Sequence, residues 1–174
     1  MVDPIQEIKV RAEILHKRVE HGDTSALERL RVLPELRKAS AESLKEFAAT
    51  IQRKHCFAVV SRELGFSGYA HAQRVLSGDE AENDFGTILY PKHSGAFNHW
   101  YANYEEARDL RSEINGYLLA YKRHFFIVDG YFIEALGLDP ADPDWDAIGR
   151  DWIKPRDPVA RRRLYGKLVG ANAA

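Results

Sequence analysis

Apolar residues recur along the N-terminal third at alternating steps of three and four. Ile5, Ile8, Ala12, Leu15 and Val19 form one stripe, which on a 3.6-residue period predicts an amphipathic helix ending near Gly22. Asp3 can accept from the orphan N–H groups of its first turn, and Pro4 suits the first helical position. Asp23 or Thr24 caps a shorter helix carrying Leu27, Leu30 and Leu33, limited by Pro34. Ser40 opens a third, with Leu44, Phe47, Ala48, Ile51 and His55 along one face. Residues 56 to 64 predict a fourth, ending at Gly65, where a residue without Cβ can take the left-handed conformation that closes a helix. A fifth runs to about Leu76 with Tyr69, Ala72 and Leu76 on one side. Successive helices joined by short polar turns read as a helical bundle over residues 1 to 78.

The pattern then changes. SGDEAENDFGT, residues 77 to 87, is acidic and glycine-containing, and marks a boundary between that bundle and a second subdomain at 85 to 174, unless both form one compact domain. From Asp84 to Trp100 the segment DFGTILYPKHSGAFNHW interleaves glycine, histidine and aromatic residues without helical or strand period, as a loop that presents side chains does. Thr87 to Tyr90 fits a short strand. Asn103 and Glu106 form a capping-box-like start for a helix whose Ala107, Leu110 and Ile114 face inward and which Gly116 ends. Tyr117 to Tyr121 and His124 to Val128 flank Lys122 and Arg123 and fit a small β-hairpin or a buried helix. Asp129, Asp142 and Asp157 precede three further short helical patterns, the latter two beginning with proline. The fold class expected is mainly α: an N-terminal helical bundle plus an aromatic-rich helical half with room for one small β-hairpin.

Composition sharpens this contrast between halves. Residues 85 to 152 hold 14 of the 19 Phe, Tyr and Trp residues. Charge is balanced, with 25 Lys and Arg against 26 Asp and Glu in 174 residues, so no global field draws the chain toward nucleic acid or an acidic membrane. The single cysteine, Cys56, excludes an internal disulfide and a cysteine-rich zinc cluster. With no signal-peptide pattern and no apolar run of membrane-spanning length, a cytoplasmic protein is the expectation.

Candidate chemistry gathers around residues 90 to 131. Tyr90, Phe97, Trp100, Tyr101, Tyr104, Tyr117 and Tyr121 each pair an apolar body with a polar atom, which suits a ligand or partner cleft and equally suits an aromatic core. Joined by His93 and His99, they give a candidate binding set of Tyr90, His93, Phe97, His99, Trp100, Tyr101, Tyr104 and Tyr121. His93 or His99 as general base, with Glu106 or Tyr104 nearby, is the enzymatic alternative; a helix beginning near Asn98 would put His99, Asn103 and Glu106 on one face. The spacing of His93 and His99 matches no metal-ligand pattern, so no metal or cofactor is implied. His55 and Cys56 are neighbours on a helix and point about 100° apart, and Ser94 lacks the strand-turn-helix setting of a nucleophilic serine. Asp139, Asp142, Asp144 and Asp146 precede Arg150, Lys154, Arg156 and Arg161 to Arg163, which predicts internal ion pairing; an acidic partner at the arginines is the other reading. The aspartates lack the closing Glu of a calcium-binding loop.

The helix, Gly65, helix unit shares the outline of a helix-turn-helix DNA reader, with Val60, Leu64 and Phe66 at the usual apolar positions. His71 and Arg74, however, stand where such a motif needs apolar side chains, and Asp79, Glu80, Glu82 and Asp84 follow, a poor surface for a polyanion. The same segment, VVSRELGFSGYAHAQRVLSG, resembles through Ser61, Gly65, Phe66 and Tyr69 a short helical segment found beside ankyrin-like or glyoxalase-like domains in bacterial proteins. That resemblance spans about 25 residues and implies helical structure only. The leading expectation is a small binding or adaptor protein taking a small molecule or a protein partner, self-association included. An enzyme using His93 or His99, and a DNA binder through residues 56 to 76, are the alternatives.

Overall fold

The stripe from Ile8 to Val19 forms the buried face of α1 (Pro4–Glu20), with Ile8, Ala12, Leu15 and Val19 almost wholly inaccessible. The computed structural model describes residues 3 to 90 and 99 to 172. These divide into two units, Ile5–Gln73, and Arg74–Ala174 with Met1–Pro4. The protein is mainly α-helical, with nine α-helices and one three-stranded antiparallel sheet among the described residues. No described helix is long and apolar enough to cross a membrane.

In the Ile5–Gln73 unit, α2 (Thr24–Arg29) is capped by Asp23, whose carboxylate accepts the Ala26 N–H at 2.9 Å. It ends before Leu30 and continues as 3-10 turns at Leu30–Val32 and Pro34–Leu36. Leu33 between them is extended, as a residue before proline prefers. Ser40 caps α3 (Ala41–Ala48) by accepting from Ser43 N–H at 3.1 Å. This helix stops short of Ile51 and His55, contrary to the single face read across them. The Ala49 N–H bonds to the Glu46 carbonyl, and the Thr50 N–H and hydroxyl both turn back to that of Phe47, which tightens the end. His55 instead lies in the first turn of α4 (Arg53–Glu63). Arg29 and Glu63 form a two-point ion pair at 2.8 and 2.6 Å that joins α2 to α4. Gly65, at φ +94°, makes the turn into α5 (Tyr69–Ser77), and Phe57 stacks on Tyr69 at 4.6 Å.

The other unit is built on a sheet of β1 (His99–Tyr101), β2 (Tyr117–Tyr121) and β3 (His124–Val128), in spatial order β1-β3-β2. The hairpin option is therefore the one adopted, extended by a third strand. Lys122 takes the left-handed φ of 52° that a two-residue hairpin turn demands. The turn is held from outside, since Phe85 N–H donates to the Lys122 carbonyl at 3.0 Å and Lys122 N–H to that of Gly86 at 2.7 Å. Thr87 to Tyr90 forms a turn and not a strand, with Tyr90 N–H returning to the Thr87 carbonyl at 3.0 Å.

Strand alternation sorts the aromatic half onto two faces. One face carries Leu118, Ile127, Tyr101 and Phe125 and is covered by α6 (Tyr104–Ile114) through Ala107, Leu110 and Tyr104. Ile114, expected inward, is 50% exposed, and Asn115 at φ 52° closes the helix in place of Gly116. Gly116 serves close packing instead: a Cβ there would stand 2.6 Å from Ile127 Cγ2. The remaining helices are α7 (Gly130–Ala135), α8 (Pro143–Ala147) and α9 (Pro158–Ala171), each capped by the expected aspartate at Asp129, Asp142 and Asp157. A chain of rings, Tyr117, Trp145, Trp152 and Tyr165, connects the other sheet face to α8 and α9 with centroids 5.0, 5.4 and 4.8 Å apart. The outer edge of β2 is closed by residues 150 to 152: Leu118 N–H donates to the Arg150 carbonyl and Trp152 N–H to that of Leu118.

Candidate functional site

Trp100, Leu119 and Phe126 are cross-strand partners on the sheet face away from α6. The Trp100 indole stacks on Phe126 at 4.8 Å with planes 25° apart. Phe126 is fully buried, whereas Trp100 is 45% exposed, so one indole surface packs and much of the remainder meets solvent. Tyr121 stands edge-on to it at 5.8 Å, and Tyr90 joins from the turn before the sheet, 5.7 Å from Trp100 and 5.4 Å from Tyr121. Phe132 of α7 backs the group, 5.6 Å from Phe126. Each such ring pair contributes roughly 0.5–1.5 kcal/mol beyond its buried area. Lys122 Nζ lies 5.7 Å from the Tyr121 ring centroid and brings a positive charge to the rim. The patch thus offers a rigid aromatic surface with indole and phenol tips, suited to a flat apolar group.

The other sequence candidates go elsewhere. Tyr101 and Tyr104 pack on the α6 face, in the cluster of Ala107, Leu118 and Ile127. His99 shares the Tyr101 parity and is exposed, as is Glu106, whose N–H the Asn103 side chain caps at 3.2 Å. Because His99 belongs to a strand and Asn103 is the cap, the helical face of His99, Asn103 and Glu106 is not formed. Among the described residues no hydrogen bond joins His99, Tyr104 and Glu106 to one another. His93 and Phe97, with Ser94, lie outside the described residues.

Tyr104 has a partner that the sequence reading did not single out. Its hydroxyl donates to Asp151 Oδ2 at 2.5 Å, while Asp151 Oδ1 accepts the N–H groups of Ile153 and Lys154, both at 2.9 Å. Asp151 is 8% exposed. Burial first, then the adjoining carboxylate, push the Tyr104 hydroxyl above its ordinary phenol range, so it stays a donor at neutral pH. Lys154 Nζ sits over the Tyr104 ring, 4.3 Å from its centroid. The available signal was weak, an aspartate directly before the apolar pair Trp152 and Ile153.

Cys56 is fully buried and its thiol is pushed up to about 11, mainly by burial and against the pull of Arg29. A neutral thiol of this kind is a poor nucleophile. The acidic and basic groups near the C-terminus pair internally. Arg163 binds Asp144 with Nε–Oδ1 at 2.9 Å, and Lys167 reaches both Asp142 at 2.5 Å and Asp144 at 2.9 Å. The Arg163 guanidinium holds the Asp144 carboxyl below the usual carboxylate range. Arg161 donates to the Trp152 carbonyl, Arg162 to Asp3, and Arg150 to the Asn115 carbonyl. In the α4–α5 segment Val60, Leu64 and Phe66 are buried, His71 is buried too, and Arg74 pairs with Glu82 at 2.8 Å. Among the described residues no group of three or more His, Cys, Asp or Glu is placed to hold a metal ion.

No protein-family model matches the chain, and no curated protein or solved structure is significantly similar to it.

Proposed function

We propose that this is a small binding or adaptor protein whose recognition surface is the aromatic patch of Tyr90, Trp100 and Tyr121 floored by Phe126. The observation that carries the reading is the position of Trp100, stacked on a buried ring yet 45% exposed. A tryptophan fixed by its own fold loses little conformational entropy when a partner covers it, and for that reason exposed, pre-positioned aromatics dominate binding surfaces. A flat aromatic group, from a metabolite or from a side chain of a protein partner, would stack on the indole, and an oxygen or nitrogen atom borne by that ligand would accept from the indole N–H or from a tyrosine hydroxyl. Tyr101 and Tyr104 support the sheet from behind.

The test compares species retained from a cell extract by immobilised wild-type protein and by Trp100→Ala, identified by mass spectrometry, with circular dichroism checking that the variant is folded. A small molecule or protein held by the wild type and lost by the folded variant is expected. Identical profiles from two folded proteins would remove the reading.

A further inference from the structure

Three side chains that can hold an anion stand beside the aromatic patch, and the β2–β3 hairpin places them there. Lys122 and Arg123 form its two-residue turn, and His124 is the first residue of β3, paired with Tyr121. All three are exposed. Residues directly opposite in a ladder share a face, as do residues two apart along a strand. His124 therefore lies on the face of Tyr121, Phe126 and Trp100, and the turn follows at the end of that face. Tyr121 joins the two chemistries: its ring stands 5.8 Å from the Trp100 indole, and Lys122 Nζ is 5.7 Å from its centroid.

Among the described residues no carboxylate pairs with Lys122, Arg123 or His124, in contrast to Arg150, Arg163 and Lys167 of the same unit. Asp84, on the strap that clamps the turn, accepts the Gly86 N–H at 2.9 Å. The bonds of Phe85 and Gly86 to Lys122 fix the backbone beneath the cations, so little order is lost there when a ligand binds. Tyr90, Trp100 and Tyr121 have ring centroids 5.4 to 5.8 Å apart, which is direct ring contact and leaves no slot between them for an ammonium ion. A ligand thus lies on top of the indole, and the neighbouring positive charge selects an anion over a cation.

We infer that the patch takes a nucleotide, with the planar base stacked on Trp100 and the phosphate, a few bonds away, held by Lys122, Arg123 and His124. The inference rests on the aromatic surface being the recognition site and adds the charge of its ligand. Arg offers a planar fork of N–H groups, Lys a point charge and imidazole an N–H, all donors matched to the acceptor oxygens of a phosphate. One exposed indole is a platform for one base. The balanced chain, with 25 basic residues against 26 acidic, provides no track for a polyanionic strand, so the ligand is a free nucleotide.

The experiment titrates the full chain at low salt with adenosine 5′-monophosphate and with adenosine, followed by nitrogen-15 NMR of the indole N–H groups. Trp145 and Trp152 are buried, so the Trp100 signal is the one expected to move. The monophosphate should bind about tenfold more tightly than the nucleoside, the effect of a charged hydrogen bond at an exposed site. Lys122→Asn combined with Arg123→Gln removes two charges and leaves at 122 a residue that tolerates the left-handed φ, so the turn still forms. In this variant the two ligands should bind alike. Equal affinities in the wild type, or a phosphate preference that survives in the double variant, would overturn the inference and leave the aromatic recognition surface standing. An unmoved Trp100 signal with both ligands would overturn it too, and the extract comparison with Trp100→Ala then judges the recognition surface separately. Affinity that climbs steeply from the monophosphate to short oligoadenylates would assign the patch to a nucleic-acid strand, against the free nucleotide inferred.

Discussion

Asp151 and Tyr104 are 47 residues apart and meet through one hydrogen bond of 2.5 Å, so a double-mutant cycle on this pair tests the packing of the sheet unit directly. Tyr104→Phe removes the hydroxyl and keeps the ring that packs on Ala107 and Phe125. Asp151→Asn retains an oxygen for the N–H groups of Ile153 and Lys154 but puts an amide where Oδ2 stood. A hydrogen bond to a charged acceptor is worth about 1.5–3 kcal/mol net, and partial exposure of Tyr104 places this one at the lower end. The coupling energy should therefore be about 1–2 kcal/mol. Asp151→Ala, which strands two backbone N–H groups and the hydroxyl together, should cost about 3–5 kcal/mol. All three tryptophans, Trp100, Trp145 and Trp152, belong to the Arg74–Ala174 unit. Urea unfolding followed by tryptophan fluorescence at pH 7 consequently reads this unit alone. A coupling below about 0.5 kcal/mol, within the error of additivity for independent sites, would mean that the carboxylate does not hold the phenol, and the account of this face would fail.

Two further outcomes are expected. Gly116→Ala drives a methyl to within 2.6 Å of Ile127 Cγ2 and 3.2 Å of the Val128 carbonyl, and should lower the urea midpoint by the equivalent of about 1–3 kcal/mol; an unchanged midpoint would show that the sheet yields there freely. Cys56, with its thiol pushed up to about 11, stabilises the fold as a neutral group. That contribution is intact below the free-thiol pKa of about 8.5 and is lost as pH rises through the folded value, so folded protein should resist iodoacetamide at pH 8, whereas labelling as fast as in urea would contradict its burial.

Helices were the most legible part of the chain because their signals are local. Asp23, Ser40, Asn103, Asp129, Asp142 and Asp157 all accept backbone N–H groups at the helix starts where their side-chain chemistry places them. Residues whose role depends on distant partners were not legible. A three-residue strand such as His99–Tyr101 is too short to show a period, and its register against Phe125–Ile127 decides which neighbours face which way. That register separates Trp100 from Tyr101 and Tyr104, which the sequence presents as one aromatic group. Asp151 was missed for the same reason, since its phenol partner lies far away along the chain. The end of α3 reflects a closer contest, in which the last N–H groups and a threonine hydroxyl bond back into its final turn before the face can extend to His55.

The closure of β2 by residues 150 to 152 also sets an order of events during synthesis. The hairpin of β2 and β3 can pair as soon as it emerges from the ribosome, but the segment that covers the β2 edge is complete only at Trp152, about 24 residues after Val128, which at about 5–20 residues per second is a matter of seconds. Over that interval Leu118 presents its N–H and carbonyl to whatever strand is near. A nascent chain stalled before Trp152 is therefore the form of this protein most exposed to wrong pairing, and a chaperone that shields one short strand edge would serve it best.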